Sequence, residues 1–376
     1  MIIKKIDIMI VSVPFDSNRV KSSSAEQDFN AASAEVSQMQ SLLVKIETDN
    51  QLNGWGEGFG HLINPVTYQA LKEVVGPFFL NKSFACIDDL KALMHQAELS
   101  FHAFGRTGPI RYALSAIDIA LWDLLSKANQ QPLWQFLGGK RDKIELYPSL
   151  VNYDDNVTGL YKTLQEVMDA GYREIKVHEN KVSTIGLIRE QLSDDIELSV
   201  DLNCILSFDQ ANDYFEKVRG FNLKWIEEPI WPPDNLENLA QIRTFGIPIS
   251  AGENANGEID FINFEKTHAV DYFQPSVAKI GGITAMLNLF EVAKNRKIKI
   301  SPHCFYYGAG MLATAHLTTL LDDDVKLEVP FIKYNPIIHP LLKYQPIITL
   351  PTTPGLGFNP APELINKIKI KSCSIE

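Results

Sequence analysis

The sequence predicts an α/β fold. Its centre is a modified (β/α)8-type barrel of the (β/α)7β kind, with an α+β domain ahead of it and a segment behind that returns to that domain. Two observations carry this expectation. Between Ile144 and Val329, strand-like apolar runs alternate with helical patterns, giving eight strands separated by seven helices. Three of those runs end in a carboxylate, Asp201, Glu227 and Glu253, each 26 residues from the next. Such a repeat delivers one acid per β/α unit to the same face. An open doubly wound sheet is the rival, but no Gly-x-Gly-x-x-Gly follows the early strands.

Ile144–Leu150 reads as the first strand and Val157–Ala170 as the helix after it, stopped by Gly171. Glu174–His178, a helix to about Leu192, Glu197–Asn203 and a helix over Phe208–Arg219 follow, the last with Ser207 as N-cap. Next come Leu223–Glu228, a helix near Leu236–Phe245, Pro248–Glu253 and a helix near Ile259–Thr267. Asp271–Val277, a helix over Ile283–Lys297 entered through Gly281-Gly282, Ile298–His303, a helix near Ala309–Leu321 and Val325–Val329 complete the alternation.

The preceding residues have a different grain. Ile2–Val13 and Leu42–Thr48 read as antiparallel strands around a polar stretch, Asp16–Gln40. A second loop is expected at Gly54–His61, then helices over Thr67–Val75, Asp88–Leu99 and Ile110 to about Lys127. Two loops of that length need a surface to lie on, and the barrel mouth is the obvious one. The expected division is 1–125 for this domain, 126–330 for the barrel, and 331–376 for a Pro-rich, irregular segment that packs back on the first domain.

Composition narrows the function. A net charge of −11, with no Lys/Arg-dense stretch, argues against nucleic acid or an anionic membrane as partner. Cys86, Cys204, Cys304 and Cys373 form no CxxC pair, no apolar run is long enough to span a membrane, and no cleavable leader is visible. A soluble, cytoplasmic protein is expected.

The strand ends carry the chemistry in such a barrel. In strand order they present Lys176 and His178, Asp201 and Asn203, Glu227 and Glu228, Glu253, Ser276 and Lys279, His303, and Glu328. Residues two apart on a strand share a face, which pairs Lys176 with His178 and Asp201 with Asn203. One strand-end acid is readily a loop cap or a surface charge. Three in register repel one another unless a cation or protons neutralise them, and all-oxygen ligands with open positions suit Mg²⁺. Lys176 and His178, uninformative alone, become candidates for holding an anion and moving a proton beside such a cluster. His303, five strands on, faces them across the mouth. This arrangement suits removal of a proton α to a carboxylate, an acidity that metal coordination of the resulting enediolate makes accessible.

The motifs Lys176-Val177-His178, Asp201-Leu202-Asn203, Trp225-Ile226-Glu227-Glu228-Pro229, Ala251-Gly252-Glu253-Asn254 and Gln274 to Gly282 together resemble the enolase superfamily, mandelate racemase branch. Ala116–Leu124, Gln131–Lys140 and Pro354–Gly357 support the likeness, which extends over nearly the whole chain. It implies an N-terminal capping domain over the barrel, an essential Mg²⁺ on Asp201, Glu227 and Glu253, a small-molecule carboxylate substrate, and a homo-oligomer. It also implies that the Asp16–Gln40 and Gly54–His61 loops contact substrate, and that Glu328 hydrogen-bonds the substrate carboxylate. Two positions depart from the family pattern. Its second-strand motif ends in a lysine base where this chain has His178, which assigns Lys176 to the substrate carboxylate and His178 to the base. Its seventh-strand histidine pairs with a sixth-strand aspartate where this chain has Ser276, so His303 loses basicity and becomes a candidate acid. Lys279 is the other acid/base candidate on that side, or else a structural ion pair. Asn203, Ser276 and His61 are candidate substrate contacts. Arg19, His61 and Trp231 fall in segments able to set specificity, but each reads as a surface or packing residue before it reads as a contact.

The expected activity is dehydration of a hydroxy acid such as a sugar acid. A racemase or epimerase is the close alternative and a cycloisomerase the third. A non-catalytic carboxylate-binding relative stays open because the dyad aspartate is missing.

Overall fold

The computed structural model describes residues 1–19, 36–296, 298–339, 341 and 345–376. Most of the polar stretch expected to lie over the mouth, residues 20–35, falls outside them. The first domain is built on β1 (Ile3–Asp16), β2 (Gln38–Thr48) and β3 (Asn53–Gly58), an antiparallel meander. Helix α1 (Asn64–Ala70) runs through a π-helical turn, Leu71–Val75, into α2 (Gly76–Phe79), followed by α3 (Ile87–Ser100), α4 (Pro109–Ala128) and α5 (Leu133–Phe136).

The expected loop at Gly54–His61 is therefore corrected: its first half is a strand. Gly54, Gly56 and Gly58 alternate along β3 and present a face without side chains to α4. A Cβ on Gly56 would lie 1.9 Å from the Ala116 carbonyl oxygen, and one on Gly54 2.2 Å from that of Ala120. Glycine here marks close approach of a helix rather than a turn, a distinction that composition does not reveal. Helix α4 is buried without a break from Ala113 to Ser126, because the first domain covers one side and the barrel the other.

The barrel strands and helices alternate as β4 (Lys143–Ser149), α6 (Val157–Asp169), β5 (Glu174–Val177), α7 (Val182–Gln191), β6 (Glu197–Asp201) and α8 (Phe208–Val218). They continue as β7 (Leu223–Glu227), α9 (Leu236–Arg243), β8 (Ile249–Ala251), α10 (Glu258–Lys266) and β9 (Tyr272–Phe273). The single turn α11 (Val277–Ile280), α12 (Gly282–Arg296), β10 (Lys299–Ile300), α13 (Ala309–Thr318) and β11 (Leu327–Pro330) close the series. Ser207 caps α8 in a full capping box with Gln210, as its position implies. All eight strands pair in parallel along one path, β10-β9-β8-β7-β6-β5-β4-β11. Among the described residues no ladder joins β10 to β11. The Glu328 carboxylate bridges this seam, accepting from the Cys304 backbone N–H at 2.9 Å.

The segment after β11 is more ordered than its prolines suggest. β12 (Lys333–Tyr334) pairs with the end of β1, while β13 (Ile347–Thr349) runs antiparallel to β4 of the barrel. Helix α14 (Pro362–Ile368) leads into β14 (Lys369–Ile375), which pairs with β1 opposite β2. The returning chain thus completes the cap sheet and also touches the barrel. No helix among the described residues is long and apolar enough to cross a membrane.

Gly56→Ala is expected to destabilise the fold by about 3 kcal/mol, the upper end for overpacking, because the clash is with backbone that cannot rotate away. Urea unfolding of the two proteins measures it.

Candidate active site

Strand register brings the three acids together. Asp201 ends β6 directly opposite Glu227 on β7, and Glu227 in turn pairs with Ser250, three residues before Glu253. One carboxylate oxygen from each lies within 4.8 Å of the others. Opposite oxygens of an Mg²⁺ octahedron are about 4.2 Å apart, so the three converge on a volume of ionic size. Asn203 donates from its side chain and its backbone to Asp201 Oδ1, both at 2.9 Å, and Gln274 Nε2 donates to Glu227 Oε2 at 2.7 Å. Glu228, in the left-handed region at φ 41°, turns its carboxylate beside them, where Asn254 Nδ2 donates to both oxygens.

These acids are nearly dry. Lys176, fully buried, places Nζ 2.8 Å from Glu227, 2.8 Å from Glu328 and 3.1 Å from Asp201. Lys279 Nζ sits 2.8 Å from Glu253 and 4.2 Å above the centre of the Phe59 ring. Burial opposes ionisation throughout, but Lys176 and His178 outweigh it at Asp201 and hold that carboxyl below the usual range. His303 and Lys279 likewise bring Glu253 down to about 2 against its burial. Burial and the neighbouring acids push Glu227 well up despite Lys176, and raise Glu228 to about 8. The lysines stabilise some of the cluster and leave the rest short of positive charge. An all-oxygen donor set in that condition fits a hard divalent cation. Asp201, Glu227 and Glu253 thus form a possible metal site.

Two imidazoles face the cavity, each with one ring nitrogen held by a neighbouring acceptor. His178 Nδ1 lies 2.5 Å from the Leu150 carbonyl oxygen, which can only accept, so a neutral ring carries its hydrogen on Nδ1 and leaves Nε2 bare. That bare nitrogen is 3.3 Å from Asp201 Oδ2, a repulsive pairing unless a proton or cation intervenes. His303 Nε2 is 3.1 Å from Glu253 Oε2 and must donate to it, while its buried Nδ1 finds no hydrogen-bond partner among the described residues. Burial lowers the His303 pKa, with Glu253 and Glu328 opposing the shift.

A cavity of about 700 Å³ opens above these groups. Its polar lining is His178, Asn203, Glu228, Glu253, Asn254, Lys279 and His303, and the cap adds His61. Burial and then Lys279 lower the His61 pKa to about 4, so its ring is neutral. Phe305 packs edge-on against His178 and tilted against His61. Trp231 lies on the rim, 70% exposed.

Some expected residues sit beneath this lining rather than in it. Lys176 and Glu328 are fully buried and bonded to each other, and the Ser276 hydroxyl is hydrogen-bonded to Tyr306. Tyr306 in turn packs edge-on to His303, its ring centre 5.9 Å away. Arg19 turns from the mouth toward Ser17 Oγ and the Asn152 carbonyl. Sequence reasoning missed Asn254, Phe305, Gln274 and Tyr306. The first two lie one and two residues beyond expected site residues, a signal of adjacency only.

The family model described as enolase C-terminal domain-like matches residues 160–364, and that for the mandelate racemase / muconate lactonizing enzyme N-terminal domain matches residues 17–138. The chain belongs to the enolase superfamily, in its mandelate racemase-like group. It is 25% identical over 354 residues to an arabinonate dehydratase of Saccharolobus solfataricus, covering 89% of this chain and 92% of that protein. The solved 3,6-anhydro-D-galactonate cycloisomerase of Zobellia galactanivorans superposes with a TM-score of 0.84 at 24% identity, over 99% of this chain and 100% of that one. An L-talarate dehydratase from Polaromonas sp. JS666, solved with Mg and L-glucarate, gives 0.81 at 21% identity, over 99% and 98%.

Lys176→Met removes the ammonium group shared by three buried acids. It is expected to cost about 3–5 kcal/mol in EDTA, the range for breaking a buried pair. Thermal unfolding should show part of that loss recovered when a divalent cation is added.

Proposed function

We propose that this protein is an Mg²⁺-dependent lyase that removes the α-proton of a hydroxy acid of the sugar-acid class and expels its β-hydroxyl as water. The supporting observation is that the Nε2 atoms of His178 and His303 line the same cavity, each beside a carboxylate of the candidate metal site. The arabinonate dehydratase relative agrees with this chemistry.

Asp201, Glu227 and Glu253 would hold the ion. When bound, Mg²⁺ supplies Lewis-acid stabilisation of the charge that grows on the substrate carboxylate as its α-proton leaves. His178 Nε2 accepts that proton, with the Leu150 carbonyl fixing the ring through Nδ1. The α-carbon electron pair forms the new C=C bond while the β-carbon–oxygen bond breaks. His303, in the imidazolium form that Glu253 and Glu328 favour, gives its Nε2 proton to the departing hydroxyl and is left neutral, so water leaves; protonation of the resulting enol at the β-carbon gives a 2-keto-3-deoxy acid. Lys279, in the lining, provides positive charge for the substrate's anionic end. Lys176 and Glu328 act from beneath by holding Asp201 and Glu227 in place. Asn203 and His61 bound the substrate space, while Ser276 supports Tyr306. The four free cysteines fit a reducing cytoplasm.

A racemase or epimerase is the second reading, favoured by imidazoles on both sides of one cavity. Incubation with Mg²⁺ and a panel of sugar acids in D₂O separates the two. Keto-acid formation is expected; deuterium at the α-carbon with no loss of water would establish the second reading instead. His178→Asn should lower turnover at least about 10²-fold, within the range for general base catalysis. Near-normal turnover would remove the base role. EDTA should abolish activity and Mg²⁺ restore it.

A further inference from the structure

Glu57 is a charged residue in the middle of the glycine-rich strand β3, yet its side chain is buried to 1% exposure. It reaches out of its own domain. Its Oε2 accepts from the Gly310 N–H at 2.7 Å, and the nearby Gly308 N–H also favours the ionised carboxyl against its burial. Gly308 and Gly310 flank the start of α13, a helix with no side-chain N-cap of its own. The glycines make room for the carboxyl group: a Cβ on Gly308 would lie 2.8 Å from Glu57 Oε2, and one on Gly310 3.1 Å.

The run of chain leading into α13 carries His303, Phe305 and Tyr306. Two residues after Glu57, the Phe59 N–H donates to the Ala278 carbonyl at 3.0 Å, and the Phe59 ring lies under Lys279. Two residues further, His61 meets Phe59 and Phe305. The segment from Glu57 to His61 therefore touches the Lys279 side and the His303 side of the mouth at once.

We propose that Glu57 is a positioning residue: its carboxyl group caps the N-terminus of α13 from the neighbouring domain and so fixes the His303–Phe305 run over the cavity. A helix start without a cap leaves its first N–H groups unsatisfied and frays. Here fraying would begin two residues from Tyr306, the ring against which His303 rests. Burial pushes the Glu57 pKa up to about 8, so a neutral amide reproduces the group as it stands near neutrality. The catalytic consequence rests on the lyase reading above; the anchoring of His303 does not.

The test compares Glu57→Ala, Glu57→Gln and Gly310→Ala with the native chain, using ¹⁵N-histidine labelling and, in D₂O, the ratio of dehydration to α-proton exchange. Gly310→Ala introduces a good helix former while crowding the carboxyl group, so it guards against a Glu57→Ala protein that does not fold. In both alanine variants the His303 ring signals should move and broaden while those of His268, far from the cap, stay put. Dehydration should fall about tenfold or more with exchange by His178 held within about threefold, since misplacing one group by about an ångström is enough. Glu57→Gln should restore both readouts. Unmoved His303 signals in either folded alanine variant would overturn the proposal, as would dehydration and exchange falling in proportion. If the native protein forms no keto acid from any member of the panel, the lyase reading fails, and the histidine signals still decide the role of Glu57.

Discussion

Five carboxylates, Asp201, Glu227, Glu228, Glu253 and Glu328, share the mouth of the barrel with two lysines, and the rest of the molecule is arranged around that imbalance. At an effective dielectric of about 20, two unit charges separated by the 4.8 Å that bounds the three candidate ligands repel by roughly 3 kcal/mol. Left to themselves the side chains would turn outward to water. Parallel strands in fixed register prevent this, because each acid lies on or just beyond its own strand, and β6, β7 and β8, which lead to the three candidate ligands, are each paired on both sides. Lys176 below and Lys279 at the side reduce the repulsion without removing it, which leaves a strong preference for one more cation.

The cap works on the same problem from above. Its glycine-faced strand lets α4 lie close, and α4 in turn packs on the barrel side of the molecule. Glu57, on a strand that scarcely has room to shift, and Phe59 and His61 just beyond it then reach the barrel loops. Domain and barrel meet through packed backbone and side chains, Arg111 and Trp122 of α4 among them, which hydrogen-bond Ile280 and Thr284. The resulting cavity combines charged groups at its floor with aromatic rings at its wall, so electrostatic effects there are stronger than in water.

Much of this was legible in the sequence, and for identifiable reasons. Asp201, Glu227 and Glu253 stood out because the β/α period is regular and each acid ends an apolar run. Ser207 announced a helix start through its own side chain. The strand β3 did not, because alternating glycines look like a loop until the helix against them is known. Glu57 was equally hidden: its partner Gly310 is 253 residues away, and nothing local marks a buried carboxyl group inside a glycine run. Ser276 was visible as a departure from the family pattern, but Tyr306, which takes its hydroxyl, was not. Local periodicity reports which face a residue occupies; it carries no information on which distant backbone or side chain meets it there.

The pairing of β1 with both β2 and β14 has a temporal consequence. Synthesis on the ribosome delivers β1 more than three hundred positions before residues 369–375, so one border of β1 stays open until those residues emerge. All eight barrel strands have been made by then. The nascent molecule therefore owns a finished reaction chamber before it owns a finished roof, and the unpaired border of β1 is its most exposed point for chaperone capture or misassociation.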